Sequence, residues 1–78
     1  MKLILKKQKG IDIWRVFEEQ KDTSYTVRKD FFLTRPFYLL YKKNRLLGRF
    51  ENMKDVYEMI AIKILDERAD VLVGKKWV

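Results

Sequence analysis

The side chains that most often carry acid–base or nucleophilic chemistry are nearly absent from this chain. Among its 78 residues there is no His and no Cys, so imidazole, thiolate and disulfide chemistry are excluded. A thiolate zinc site is excluded for the same reason. Ser24 is the only serine and has neither His nor Cys to activate it. Two pairs of adjacent carboxylates occur, Glu18-Glu19 and Asp66-Glu67. Such a pair could hold Mg²⁺ or divide acid and base roles. Their surroundings instead read as a loop end and a helix end, where solvated carboxylates are ordinary. The expectation is a non-enzymatic protein with no cofactor and no metal site. What remains is a large set of Lys and Arg interleaved with aromatic rings, and its chemistry is the binding of anions.

The bases are unevenly spread. Residues 1–50 carry thirteen Lys and Arg against five acids, a surplus of +8, whereas residues 51–78 carry five against six, or −1; together these give the net charge of +7. A one-sided positive field attracts polyanions over nanometre distances.

The elements that would position these bases can be read from the pattern. A chain of this length forms one domain, spanning 1–78, near the lower limit for folding without a covalent or metal staple. Its hydrophobic content of 47%, with 14% aromatic, supports a core and argues against disorder. No apolar run reaches the roughly 18–20 residues that cross a bilayer. The N-terminal apolar stretch is too short for a signal peptide, so a cytoplasmic setting is expected. Residues 2–7 alternate as a short strand, and Ile11 to Phe17 is rich in β-branched and aromatic residues, as strands are. Glu19 to Thr23 reads as a polar loop, and Tyr25 to Arg28 resumes the alternation. Asp30 to Pro36 is ambiguous, with Pro36 biasing Arg35 away from helix.

Phe37 to Phe50 predicts a hairpin turning at Lys43-Asn44. A regular register places Phe37, Leu39, Tyr41, Leu46, Gly48 and Phe50 on the core face. Tyr38, Leu40, Lys42, Arg45, Leu47 and Arg49 then face outward. Asn52 and Asp55 form a helix N-cap pattern. Met53, Val56, Tyr57, Ile60 and Ile64 form an apolar stripe for a helix over about 52–68, expected to lie over Gly48. Gly74 reads as a turn, leaving 71–78 as a short final strand or an extended tail. The fold class is therefore α+β: a small antiparallel sheet of four to five strands with one helix on one face.

The outward hairpin residues form the candidate binding site. Lys42 and Arg45 flank the turn as a cross-strand pair, Lys43 lies between them, and Arg49 stands beside Tyr38. Like charges placed opposite one another destabilise a sheet, and an anion would relieve that crowding. Arg28 and Lys29 extend the patch, and Trp14 adds ring surface. The competing reading is a solvated basic face that favours solubility and discourages edge pairing. The run Arg45-Leu46-Leu47-Gly48-Arg49-Phe50-Glu51-Asn52, followed by Met53 to Tyr57, resembles the sheet end and helix start of AP2-like and integrase arm-type DNA-binding domains. The resemblance covers residues 37–62. It implies a sheet laid in the DNA major groove with the helix as support, and it implies Tyr38, Lys42, Arg45 and Arg49 on the DNA side. The chain departs from that pattern in its first strands, which hold Asp12, Glu18 and Glu19, and in its additional terminal segments.

The leading expectation is a small nucleic-acid-binding protein whose sheet grips the phosphate backbone, DNA ahead of RNA. The alternative is a phage-type inhibitor or adaptor, anti-CRISPR-like, that binds an acidic or nucleic-acid-binding host protein. Met59, Ile62 and Leu65 lie off the helix stripe. They are either covered by the C-terminal tail or form an interface for a partner or a second copy. No membrane partner is expected, since no basic amphipathic helix is evident.

Overall fold

A computed structural model describes the backbone of residues 2–77 and the side chains of residues 2–68. Five strands are followed by one helix: β1 Leu3–Lys7, β2 Ile13–Glu18, β3 Lys21–Phe32, β4 Arg35–Lys42, β5 Arg45–Phe50 and α1 Met53–Trp77. The strands form one antiparallel meander in the order β1-β2-β3-β4-β5, so every connection is a hairpin between neighbours. The α+β class, with a hairpin-rich sheet packed on one helix, is as expected.

Three two-residue turns, at Glu19-Gln20, Leu33-Thr34 and Lys43-Asn44, join β2 to β3, β3 to β4 and β4 to β5. In each the first residue takes positive φ: 58° at Glu19, 57° at Leu33 and 55° at Lys43. This conformation turns the chain in the sense of the strand twist. The Lys43-Asn44 turn lies where the sequence placed it, but Lys43 rather than Asn44 adopts the left-handed conformation. Only the β1–β2 connection uses a left-handed glycine, Gly10 at φ 81°.

β3 is longer than its alternating segment. It starts at Lys21, inside the stretch expected to be a polar loop, because a bulge accommodates the extra residue. The register shifts between Arg15 and Phe17, and Ser24 takes φ 69°. The Thr23 hydroxyl donates to the Val16 carbonyl at 2.7 Å, and the Ser24 N–H donates to Asp22 Oδ1 at 2.8 Å. These bonds satisfy polar groups that the interrupted ladder would orphan. At its other end β3 takes up Asp30-Phe31-Phe32, the segment whose conformation the sequence left open, and Pro36 is the second residue of β4. Proline is tolerated there because β5 pairs with β4 only from Tyr38 onward.

The core lies between one sheet face and α1. Leu3, Val16, Tyr25, Val27 and Leu40 from the sheet meet Val56, Ile60 and Ile64 from the helix, and all eight are buried. The predicted stripe is thus the packed face of α1. Tyr57 lies at its margin, where the phenol bonds both the N–H and the carbonyl of Leu3. Asn52 caps the helix: its Oδ1 accepts from the Asp55 N–H at 2.9 Å, and its amide donates to the Asp55 carboxylate at 3.0 Å. An N-cap of this kind is worth about 1 kcal/mol.

Two expectations are corrected. α1 does not stop near residue 68 but continues through Trp77. No final strand forms among the described residues, since one glycine costs a helix only about 1 kcal/mol and no proline follows it. The tail's side chains, expected to cover Met59, Ile62 and Leu65, lie outside the described residues. Gly48 does not serve as the helix's seat either. A Cβ there would meet the ring of Phe50 at 3.3 Å, so Gly48 makes room for a neighbour on its own strand.

Candidate binding face

The ladder assigns each side chain to a face. Val27 pairs with Leu40 and Tyr25 with Lys42, and Leu40 pairs with Gly48. Because Val27, Tyr25 and Leu40 are buried under α1, the helix-covered face of β4 is Tyr38, Leu40 and Lys42. The expected assignment was the reverse. Phe37, Leu39 and Tyr41 point away from the helix. A one-residue bulge adds to the change: the register shifts between Leu40 and Tyr41, so Leu40 opposes Gly48 and not Leu47. Leu47 packs at the core margin instead. A single-residue offset exchanges the two faces of a strand, and here it keeps Gly48 and Phe50 on the helix side while turning Arg49 outward.

The predicted site residues therefore separate. Arg28 pairs with Leu39, and Arg49 pairs with the same residue from β5; both stand on the open face. Lys29 pairs with Tyr38 on the helix side, and its ammonium sits 5.3 Å from the centroid of the Phe31 ring. Tyr38 packs against the core and near Trp14, with ring centroids 6.4 Å apart. Lys42 bonds the Glu67 carboxylate on α1 and lies over the ring of Tyr25. Lys43 and Arg45 are exposed at the hairpin end. The crowding of Lys42 against Arg45 that suggested an anion is relieved by Glu67, a residue of the chain itself.

Around Lys42 the charges are consumed in fastening the helix. Glu67 also accepts from the Tyr25 hydroxyl at 2.8 Å, and Arg68 pairs with Glu18. The hydrogen bond from Lys42 holds the Glu67 carboxyl below its ordinary pKa, with Tyr25 adding to the effect. Burial, and then the bond to the Glu67 carboxylate, push the Tyr25 phenol well above its usual range. A cleft of about 720 Å³ opens beside this network, lined in part by Lys21, Thr23 and Lys43.

The open face has a different composition. By register it carries Ile4 and Lys6 of β1, Ile13, Arg15 and Phe17 of β2, and Asp22, Thr26, Arg28, Asp30 and Phe32 of β3. Arg35, Phe37, Leu39 and Tyr41 of β4 and Leu46 and Arg49 of β5 complete it. No element among the described residues covers it. Five bases stand against two acids, and cations are placed over rings. The Arg49 guanidinium lies 4.1 Å from the Phe37 centroid. Lys6 and Arg15 lie 4.9 and 5.7 Å from the Phe17 centroid.

Arg15 is paired with Asp22 and Arg28 with Asp30. Asp22 is held ionised, below the ordinary carboxylate range, chiefly by the Ser24 N–H and then by Arg15. Lys6, Arg35 and Arg49 have no carboxylate at ion-pair distance among the described residues. Where the β3–β4 hairpin leaves the sheet, Phe32, Arg35, Pro36, Phe37, Arg49 and Glu51 line a hollow of about 350 Å³.

Of the residues singled out in the sequence, Arg28 and Arg49 lie on the open face beside Lys6, Arg15, Phe17, Arg35, Phe37 and Tyr41, which the sequence analysis did not place in the candidate site. The available signal was the unambiguous alternation of β3, with Tyr25 and Val27 on one side and Thr26 and Arg28 on the other. Carried across the Leu33-Thr34 turn, it sets the faces of β4. The apolar candidates on α1 also divide: Met59 packs at the core margin, whereas Ile62 and Leu65 are 52% and 54% exposed. Comparison of the chain with family models, with curated proteins and with solved structures returned no match.

Proposed function

We propose that this protein binds nucleic acid through the open face of its sheet, without catalysing a reaction. The observation that carries the reading is the uncovered aromatic and aliphatic face with cations set over its rings, Arg49 on Phe37 and Lys6 and Arg15 on Phe17. Guanidinium and ammonium groups meet phosphates. Rings and guanidinium planes give bases a surface on which to stack. The hollow beside Phe37, Arg35 and Arg49 offers one such place. Lys43 and Arg45, exposed at the hairpin end, extend the positive field along one edge. Tyr38, Lys42 and Lys29 have no part in this site, because they face the helix.

The test is fluorescence anisotropy with labelled duplex DNA, single-stranded DNA and RNA across a salt series. Neutralising about four phosphates gives duplex binding whose logarithm falls with the logarithm of salt at a slope of roughly −3 to −4. A flat salt response, or unchanged affinity in a folded Arg28→Ala/Arg49→Ala variant, would remove the reading.

The exposure of Ile62 and Leu65 on the back of α1 favours a second reading, an inhibitor or adaptor that docks on a host protein through an apolar helix face. Retention of the same protein from nuclease-treated extract by the wild-type chain, lost on Ile62→Ser/Leu65→Ser, would support it.

A further inference from the structure

We infer that the β3–β4 hairpin is a peripheral membrane probe whose tip enters the interfacial zone of an anionic bilayer. The hairpin projects beyond its neighbours. β2 accompanies β3 only as far as Arg28, and β5 accompanies β4 only from Tyr38. The rows Asp30–Phe37, Phe31–Pro36 and Phe32–Arg35, with the Leu33-Thr34 turn, stand as a two-stranded ribbon. At about 3.3 Å per residue the ribbon reaches roughly 10 Å. Interfacial elements bury their apolar parts to a similar depth, roughly 5–10 Å.

The tip carries apolar side chains on both faces and at its end, beside Thr34. Phe31 is 53%, Phe32 63% and Leu33 86% exposed. The pleat sends the two rings to opposite faces, and Leu33 caps the end. A flat protein surface or a single base step could cover one of the three, whereas a fluid apolar medium covers all of them. Leu33 also holds the left-handed turn position that Glu19 and Lys43 hold in the other hairpins, and those two side chains are charged and solvated. A leucine there bears backbone strain that Asn or Gly would avoid, and it packs on nothing in the fold.

Behind the tip stand Arg28 and Lys29, while Arg35 lies opposite Phe32 in the last row, where its long stem can carry the guanidinium back to headgroup level. Asp30, the only acid on the ribbon, pairs with Arg28. Lys29 lies over Phe31, which places an ammonium at headgroup level when the ring is inserted. The sequence argued against a membrane partner because it shows no basic amphipathic helix, and the ribbon supplies a different device. No helix among the described residues is long and apolar enough to cross a membrane, so the contact is peripheral. The ribbon and its base share Arg28, Phe32 and Arg35 with the open face, whereas Lys6, Arg15 and Phe17 lie on the β1 and β2 side of that face, away from the ribbon.

The test is co-sedimentation of the full chain with phosphatidylcholine vesicles, with and without phosphatidylserine. Wild type should be retained on the phosphatidylserine vesicles and keep part of that binding at raised salt. Phe31→Ser/Leu33→Asn should lose at least about tenfold in partitioning, since two apolar side chains are removed from the inserted part. Its thermal midpoint should be no lower, because Asn accepts the positive φ and Phe31 lies outside the core. Leu33→Asn alone should show the same loss in smaller degree. Arg15→Ala, at the far end of the open face, should bind vesicles as wild type does. Three results would overturn the inference: no dependence on phosphatidylserine, equal partitioning of the tip variant and wild type, or a tip variant that loses duplex affinity while keeping its vesicle binding.

Discussion

The two faces of this sheet are built from the same five strands and handle charge in opposite ways. On the face under α1, charges near residues 67 and 68 of the helix tie sheet to helix, while Lys7 pairs with Asp12 and Lys29 lies over Phe31. Lys42 meets Glu67, Glu18 meets Arg68, and the Tyr25 phenol meets Glu67. On the open face, Arg49 and Lys6 sit over phenylalanine rings, without a carboxylate at ion-pair distance among the described residues. Folding accounts for these contacts of the covered face. It does not account for the open one, where half-buried rings and exposed guanidinium groups meet no other element of the fold among the described residues. The contrast teaches that surplus charge is informative only after the charges used internally have been set aside. Lys42 looked like the centre of a binding site and is part of the scaffold.

The largest effect should come from the covered face. Ile60 is fully buried between Val56 and Ile64 on the helix and the sheet. Truncating it to Ala leaves a cavity that a small core cannot refill, and a loss of about 3 kcal/mol is expected. For a domain of this size that is a large share of total stability. Chemical denaturation should show a lowered midpoint with little change in slope. The fraction that remains folded should bind nucleic acid as wild type does. A loss of affinity per folded molecule would mean that the two faces are coupled.

The converse experiment addresses the open face. Arg28→Ala/Arg49→Ala removes two exposed guanidinium groups and should shift stability by no more than about 0.5 kcal/mol. Duplex affinity at low salt should fall by roughly tenfold or more, and the salt slope should shrink by about 2, one unit for each phosphate no longer neutralised. If Lys42→Met weakened binding by the same factor, the division between scaffold and site would fail.

How far the sequence discloses this arrangement depends on the segment. The strands, the Lys43-Asn44 turn, the Asn52 cap and the Val56, Ile60, Ile64 stripe follow from local pattern, because each is governed by interactions within a few residues. The face of β4 is not local. Phe37, Leu39 and Tyr41 are as apolar as Tyr38 and Leu40, so hydrophobicity alone favours the set that excludes Lys42. The structure uses the other set, since the Lys42 stem can run along the core margin and deliver its charge to Glu67. What would have decided the matter is the turn at Leu33-Thr34. It contains neither Gly nor Asn and gives no turn signal, yet with it placed, Val27 falls opposite Leu40. The bulge at Leu47 is hidden for a related reason, because its benefit lies in packing that only the assembled sheet provides.

A smaller effect separates the faces by alkaline titration. The Tyr25 phenol is raised above its ordinary pKa by burial and by its bond to Glu67. Its stabilising effect is present in full below the unfolded value near about 10, and it is lost as pH rises from there toward the folded value. The denaturation midpoint should therefore decline above pH ~10, and Tyr25→Phe should remove that decline at a cost of about 1 kcal/mol at neutral pH. An alkaline loss that persisted unchanged in Tyr25→Phe would place the sensitive group elsewhere.

The smallest effect lies on the acid side of the same network. Lys42 holds the Glu67 carboxyl below its ordinary pKa, so the stability linked to Glu67 is present above the unfolded value of about 4.3. It disappears as pH falls from there through the folded value. Both partners are more than a third exposed, so solvent screens the pair and no more than about 1 kcal/mol is expected. Glu67→Gln keeps the shape and an acceptor for Tyr25 while removing the charge. It should flatten the acid limb by that amount and leave nucleic-acid affinity unchanged at neutral pH. A rise in affinity would show that Lys42, once released from Glu67, can reach the ligand, and the boundary between the two faces would then have to be drawn at the hairpin end rather than at the sheet plane.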